Sequence, residues 1–148
     1  IPLGLAVDGS ASNDSSDMTG ELRACLMLHR VLGGAGAITA PQVLEMATVG
    51  GARLLGWPEL GTLEVGRAAD LVLVEMDRLD YAGATSDPMA ALIFSGISHA
   101  VDTVIGDGRG VLRHGVLFGV DEAALRRRAN DLSKELMERA GHDTRWAL

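Results

Sequence analysis

The chain is poor in cysteine and in aromatic side chains, and no apolar run in it is long. Its single cysteine, Cys25, cannot form an internal disulfide, which points to a reducing, cytoplasmic setting. Aromatic residues make up only 3% of the 148 residues, too few for the stacking platforms on which single-stranded nucleic acid is bound. No apolar run reaches the roughly 20 residues needed to span a bilayer, because glycines interrupt those that come nearest. Positive charge is also scarce. A net charge of −7 sets up a field that repels nucleic acid and anionic membranes while leaving small neutral substrates open. The chain starts at Ile1 with no basic n-region, so neither a signal peptide nor a normal translation start is expected, and a piece of a longer protein is.

What is present begins with Ile1-Pro-Leu-Gly-Leu-Ala-Val7, an apolar run that stops at Asp8 and passes into the polar loop Gly9-Ser-Ala-Ser-Asn13-Asp14-Ser-Ser. Such a run predicts a short buried strand, and in barrel enzymes catalytic groups sit at strand ends. Met18, Leu22, Cys25, Leu26 and His29 recur at helical spacing and predict a helix to about Leu32. Thr39-Ala-Pro41-Gln42 has the form of a capping box and opens a second helix ending near Gly56. Gly50-Gly51 inside it would cost about 1 kcal/mol per glycine relative to Ala, so close packing on a neighbouring backbone is expected there. From Trp57 the texture changes to strands and turns: Asp70–Val74, then Val101–Ile105 and Gly110–Leu112 around the turn Asp107-Gly108, then Val116–Val120. Asp87-Pro88 starts one or two helical turns over Met89–Phe94. Asp121 caps a last helix whose apolar stripe is Leu125, Ala129, Leu132, Leu136 and Ala140. A lone leading strand has no partner in its own segment, which suits the last β/α unit of a barrel followed by a small β domain.

Two segments resemble a known family. Gly61-Thr-Leu-Glu-Val-Gly66-Arg67-Ala-Ala-Asp70-Leu-Val72 resembles the signature where amidohydrolase-superfamily chains leave the barrel and re-enter a β-sandwich. Leu5-Ala-Val7-Asp8-Gly-Ser-Ala-Ser-Asn13-Asp14 is similar to the strand 8 segment of the deaminase and chlorohydrolase branch. Val101–Gly115 is similar to the family's closing hairpin, although Gly106 and Gly110 stand at apolar positions. With Tyr81–Ala84 and Asp87–Leu92, the closest likeness is to 8-oxoguanine deaminases, followed by hydroxyatrazine hydrolases.

The resemblance implies an α/β fold: residues 1–56 as the end of a metal-dependent (β/α)8 barrel, 57–120 as part of the β-sandwich domain, and 121–148 as a C-terminal helix and tail. It implies one divalent metal ion, zinc ahead of iron, with Asp8 as both metal ligand and catalytic proton carrier. The implied partners are water and a small heterocyclic substrate, with no nucleic acid or membrane, in a homo-oligomeric parent enzyme. The family's His-x-His pair is missing here; His29, His99, His114 and His142 are scattered. On the residues alone, an Asp after an apolar run, as Asp8 is, is more often a loop or cap residue. Ser10, Ser12 and Asn13 read as pocket lining or as caps for backbone N–H groups. Asp70 and His29 read as structural, Cys25 as a core residue, and Arg126-Arg127-Arg128 as a solvated helix face. The expected activity is hydrolytic deamination of a purine-like heterocycle, most of all 8-oxoguanine, by the parent. The alternatives are a triazine-type hydrolase releasing chloride or an alkylamine, and, for the isolated chain, a non-catalytic assembly module.

Overall fold

A computed structural model describes residues 1–96 and 98–141, an α/β arrangement; the tail from His142 lies outside the described residues. The chain divides into two compact units, Ile1–Val116 and a second beginning at Leu117.

Helix α1 (Met18–Gly33) starts where Asp17 accepts a hydrogen bond from the Thr19 N–H, and its buried side is Leu22, Cys25 and Leu26. Helix α2 (Ala40–Glu45) opens on the expected capping box. Thr39 Oγ1 accepts from the Gln42 N–H while Gln42 Oε1 accepts from the Thr39 N–H at 2.9 Å. Instead of one continuous helix to Gly56, a π turn (Met46–Gly50) then intervenes before α3 (Gly51–Leu55). The π turn leaves the Met46 carbonyl accepting from both the Gly51 N–H and, at 3.2 Å, the Leu5 N–H. Here the two glycines explain themselves: a Cβ on Gly50 would run into the Leu3 carbonyl oxygen, and one on Gly4 would sit 3.1 Å from the Gly51 Cα.

The opening segment corrects the sequence expectation. Residues 1–7 form no strand, and Ile1 and Leu3 are exposed rather than buried. A strand exists only through its ladder, and the described residues offer this segment one backbone bond, to Met46, rather than a neighbouring strand.

Four strands follow in the order β1 (Leu71–Val74), β2 (Val101–Gly106), β3 (Arg109–Arg113) and β4 (Val116–Leu117). Leu71 pairs with Ile105 and Thr103 with Arg113, both antiparallel. Asp107 and Gly108 turn between β2 and β3 at φ 48° and 72°, the left-handed pair that a tight hairpin requires. β4 is shorter than the expected Val116–Val120. Between β1 and β2, Asp87 caps α4 (Pro88–Phe94), accepting from the Ala90 N–H at 3.0 Å.

The main core joins α1, α2 and α4 through Leu22, Leu26, Ile38, Val43 and Ile93. Arg23 fastens α1 to the end of α4 by donating to the carbonyls of Ile93 and Gly96. Tyr81, Ala91 and Ala100 make a second, smaller cluster. In the second unit, α5 (Glu122–Arg139) starts at Asp121, which accepts from the Ala124 N–H, and its apolar stripe of Leu125, Leu132 and Leu136 is exposed. Among the described residues no helix is long and apolar enough to cross a membrane.

Two predictions follow from the packing. Gly50→Ala forces the Leu3 backbone away and is expected to destabilise the fold by about 1–3 kcal/mol, measured as a lower denaturant midpoint; an unchanged midpoint would refute the close approach. Asp102, on β2, accepts from Thr103 Oγ1 at 2.7 Å and lies 3.1 Å from His114 Nδ1. The Thr103 hydrogen bond first, and His114 second, hold its carboxyl below the ordinary aspartate value. A depressed folded-state pKa stabilises above the unfolded value, about 3.9, and that contribution disappears as pH falls through the lowered one. Asp102→Asn is therefore expected to flatten the fall in denaturant midpoint on acidification from about pH 5 to 3. An identical slope in the variant would show that the contribution is absent.

Candidate metal and catalytic site

Asp8 stands where the opening segment ends, exposed and with φ at 64°. The left-handed conformation is uncommon for a residue with a side chain, although Asp tolerates it because its carboxylate bonds locally. Here the Gly9 N–H donates to Asp8 Oδ1 at 2.7 Å. Oδ2 takes part in no hydrogen bond among the described residues, so one oxygen is fixed and the other is uncommitted.

Behind Asp8 the polar loop folds on itself. The Gly9 carbonyl accepts from the N–H groups of Ser12 and Asn13, at 2.8 and 3.0 Å. Asn13 Oδ1 accepts from the Ser15 N–H, the Ser15 hydroxyl and the Ser16 N–H, and Asn13 Nδ2 donates to Glu21 Oε1 on α1 at 2.6 Å. Asn13 thus acts on the backbone, the structural side of its two readings. Ser10 and Ser12 are exposed, and Ser12 contributes through its N–H rather than its hydroxyl. The link from Asn13 to Glu21 was not anticipated; the Asn-x-Ser order at 13–15 announces the local turn, but nothing in the sequence names Glu21 as the far partner.

Asp8 fits one position of a divalent-metal site, being an exposed carboxylate with a hard oxygen free. It does not complete one. Among the described residues no group of three His, Cys, Asp or Glu side chains could hold a metal ion. His29 bonds back along its own helix, Nδ1 lying 2.8 Å from the Cys25 carbonyl oxygen, and His114 faces Asp102. Burial pushes the Cys25 thiol up, away from the reactive thiolate. Asp70 is structural, its Oδ1 accepting from the Asp107 N–H at 2.6 Å at the hairpin turn. Arg67 donates to the Pro58 carbonyl, and Gly61, at φ 89°, brings its Cβ position within 2.9 Å of the Val49 Cα. A cleft of about 660 Å³ lies between the start of α1, the π turn and β1, is mainly apolar, and does not include Asp8.

Comparison with known proteins identifies the family. The sequence pattern of the Amidohydrolase family matches residues 1–111. The chain is 44% identical to an 8-oxoguanine deaminase of Pseudomonas aeruginosa over 84% of this chain and 27% of that protein. It is 37% identical to a hydroxydechloroatrazine ethylaminohydrolase of Pseudomonas sp. strain ADP, over 93% of this chain and 29% of that protein. A crystal structure of an adenosine deaminase from Xanthomonas campestris with bound zinc superposes with a TM-score of 0.87 at 34% identity, covering 93% of this chain and 32% of that one. The chain therefore spans about a third or less of the length of the proteins it matches. With a family match from Ile1 through Val111 and a fold shared with a zinc-bearing member-like enzyme, the chain belongs to the amidohydrolase family.

Proposed function

We propose that the protein carrying this chain is a metal-dependent aminohydrolase that deaminates a purine-like heterocycle, 8-oxoguanine before others, with residues 1–56 completing a (β/α)8 barrel, 57–120 contributing to a β-sandwich and 121–148 forming a terminal helix and tail. The observation that carries it is Asp8: an exposed carboxylate in a left-handed conformation, one oxygen pinned by the Gly9 N–H and the other free. A similar 8-oxoguanine deaminase supports the substrate, and the bound zinc of the similar adenosine deaminase supports zinc as the single divalent ion. A nucleoside deaminase and a triazine aminohydrolase among the similar proteins keep two further substrate classes in play, the triazine one releasing an alkylamine. The single buried thiol, Cys25, agrees with a cytoplasmic setting.

When bound, the metal supplies a water of lowered pKa and polarises the carbon under attack. Asp8 supplies the rest of what this chain contributes. The Asp8 carboxylate, which would also hold the metal, takes the proton of the attacking water and returns it to the departing ammonia, so a single carboxylate serves as base and then acid. The Gly9 N–H meanwhile keeps the other oxygen from rotating into solvent. Asp8→Asn keeps the size and the bond from Gly9 but cannot carry the proton. In the complete enzyme it is expected to lower kcat by about 10²–10⁴-fold, measured in parallel as ammonia release from 8-oxoguanine, guanine and cytosine and as alkylamine release from hydroxyatrazine. Turnover near that of the unaltered enzyme on whichever substrate is preferred would refute the assignment, and the substrate ranking decides between the purine and triazine readings.

A further inference from the structure

Asn13 is connected to Asp8 by hydrogen bonds that are joined through the backbone of Asn13 and of Gly9. Glu21 Oε1 accepts from Asn13 Nδ2 at 2.6 Å, the Asn13 N–H donates to the Gly9 carbonyl at 3.0 Å, and the Gly9 N–H donates to Asp8 Oδ1 at 2.7 Å. The amide orientation of Asn13 is fixed by chemistry. Its Oδ1 faces three donors, from Ser15 and Ser16, and its Nδ2 faces a carboxylate, so the flipped amide would set NH₂ against N–H and oxygen against oxygen. The far end of the run is rigid. Glu21 stands in the first turn of α1, next to Leu22, which is buried in the main core, and one turn before Cys25 and Leu26, buried there too. Asp8 itself has no comparable anchor: its backbone is in the left-handed region and its segment lacks a ladder.

We infer that Asn13, held by Glu21, is a positioning residue that fixes the backbone of Gly9 on its carbonyl side and, across that residue, the direction of the Asp8 carboxylate held by the Gly9 N–H. The inference rests on the role proposed for Asp8 and adds the device that aims it. A charge-assisted bond to a carboxylate is stronger than a neutral one, so the Asn13–Glu21 contact resists the loop's rotation more than the turn bonds do. The surrounding turn is kept by Oδ1 alone, so the two ends of the Asn13 amide have separate tasks: the oxygen shapes residues 13–16, and the nitrogen ties that shape to α1.

The separation makes the idea testable in the complete enzyme. Asn13→Asp keeps the oxygen that organises Ser15 and Ser16 but sets a carboxylate against Glu21. It is expected to lower kcat by about tenfold to a hundredfold with little change in KM, and to speed zinc loss to a chelator by about tenfold. Glu21→Ala should do the same, whereas Glu21→Gln, which keeps the accepting oxygen, should retain most of the activity. Combining Asn13→Asp with Glu21→Gln restores a donor and an acceptor with reversed polarity and is expected to recover both kcat and the slow zinc release. A residue that merely stabilised the loop would lower the melting temperature while leaving kcat of the folded enzyme and its zinc release rate unchanged, and that result overturns the inference. So does equal behaviour of Glu21→Ala and Glu21→Gln, a comparison that stands even if the double variant fails to fold. Asp8→Asn, measured alongside, separates the two levels. Activity in that variant sinks the role of Asp8, whereas its loss with Asn13→Asp unimpaired sinks only the role of Asn13.

Discussion

The carbonyl of Met46 is the point on which the first unit is assembled. In an ordinary α-helix it would be spent on the residue four positions on; the π turn instead gives it to Gly51 and leaves it reachable by the Leu5 N–H. Two backbones that meet this way must come closer than side chains permit, and Gly50 against Leu3 and Gly4 against Gly51 are where the side chains are missing. The same turn receives a third segment, because Gly61 closes onto Thr48 and Val49. Segments around residues 4, 50 and 61 are thereby joined through main chain rather than through a core of large side chains. Glycine in a helix costs about 1 kcal/mol relative to alanine, and here the close approach of the opening segment offsets that cost.

The signature from Gly61 to Val72 is mechanical in the same sense. Arg67 reaches the Pro58 carbonyl, the Ala68 N–H donates to the Glu59 carbonyl, and Asp70 holds the amide of Asp107 while the Gly108 N–H returns to the Ala69 carbonyl. Each residue secures the path of the chain from the π turn into β1 and onto the hairpin. None of them faces Asp8. The stretch that most clearly marks the family thus reports on how the chain is routed, while Asp8, the carboxylate to which we assign the chemistry, lies ahead of it within the same family match over residues 1–111.

The helices were legible in the sequence because their signals are local. Asp17, Thr39 with Gln42, Asp87 and Asp121 all cap the helices they announce, since a side-chain oxygen two or three residues from an unpaired N–H needs no tertiary partner. The hairpin at Asp107-Gly108 is local too. The opening strand was not legible, because an apolar run says which residues would suit a sheet and is silent on whether neighbouring strands stand beside it. The π turn escaped for another reason: one extra residue in a turn hardly disturbs a 3.6-residue period over so short a helix, and only Gly50-Gly51 betrayed the close approach. At the candidate site, the sequence showed a carboxylate where the opening segment meets the polar loop, but the left-handed backbone of Asp8 and the bonds leading to Glu21 depend on a loop conformation that composition does not encode.

That conformation bears on how the Asp8 carboxylate, in the role we propose for it, is held on a segment with so little support. A strand-borne ligand in a sheet is aimed by its ladder on both sides. Asp8 has a substitute in the loop that follows it. The left-handed turn brings the Gly9 N–H onto Oδ1, the Gly9 carbonyl is in turn held by two amides, and the last of these belongs to a residue tied to α1. Orientation is therefore imposed from the C-terminal side, by the helix that comes after, while the π turn fixes the segment from the N-terminal side at Leu5. Asp8 lies between two restraints that do not touch each other, three residues from the one and five from the other. Loosening either should leave the other in place, so the position of the carboxylate degrades by steps rather than failing at once.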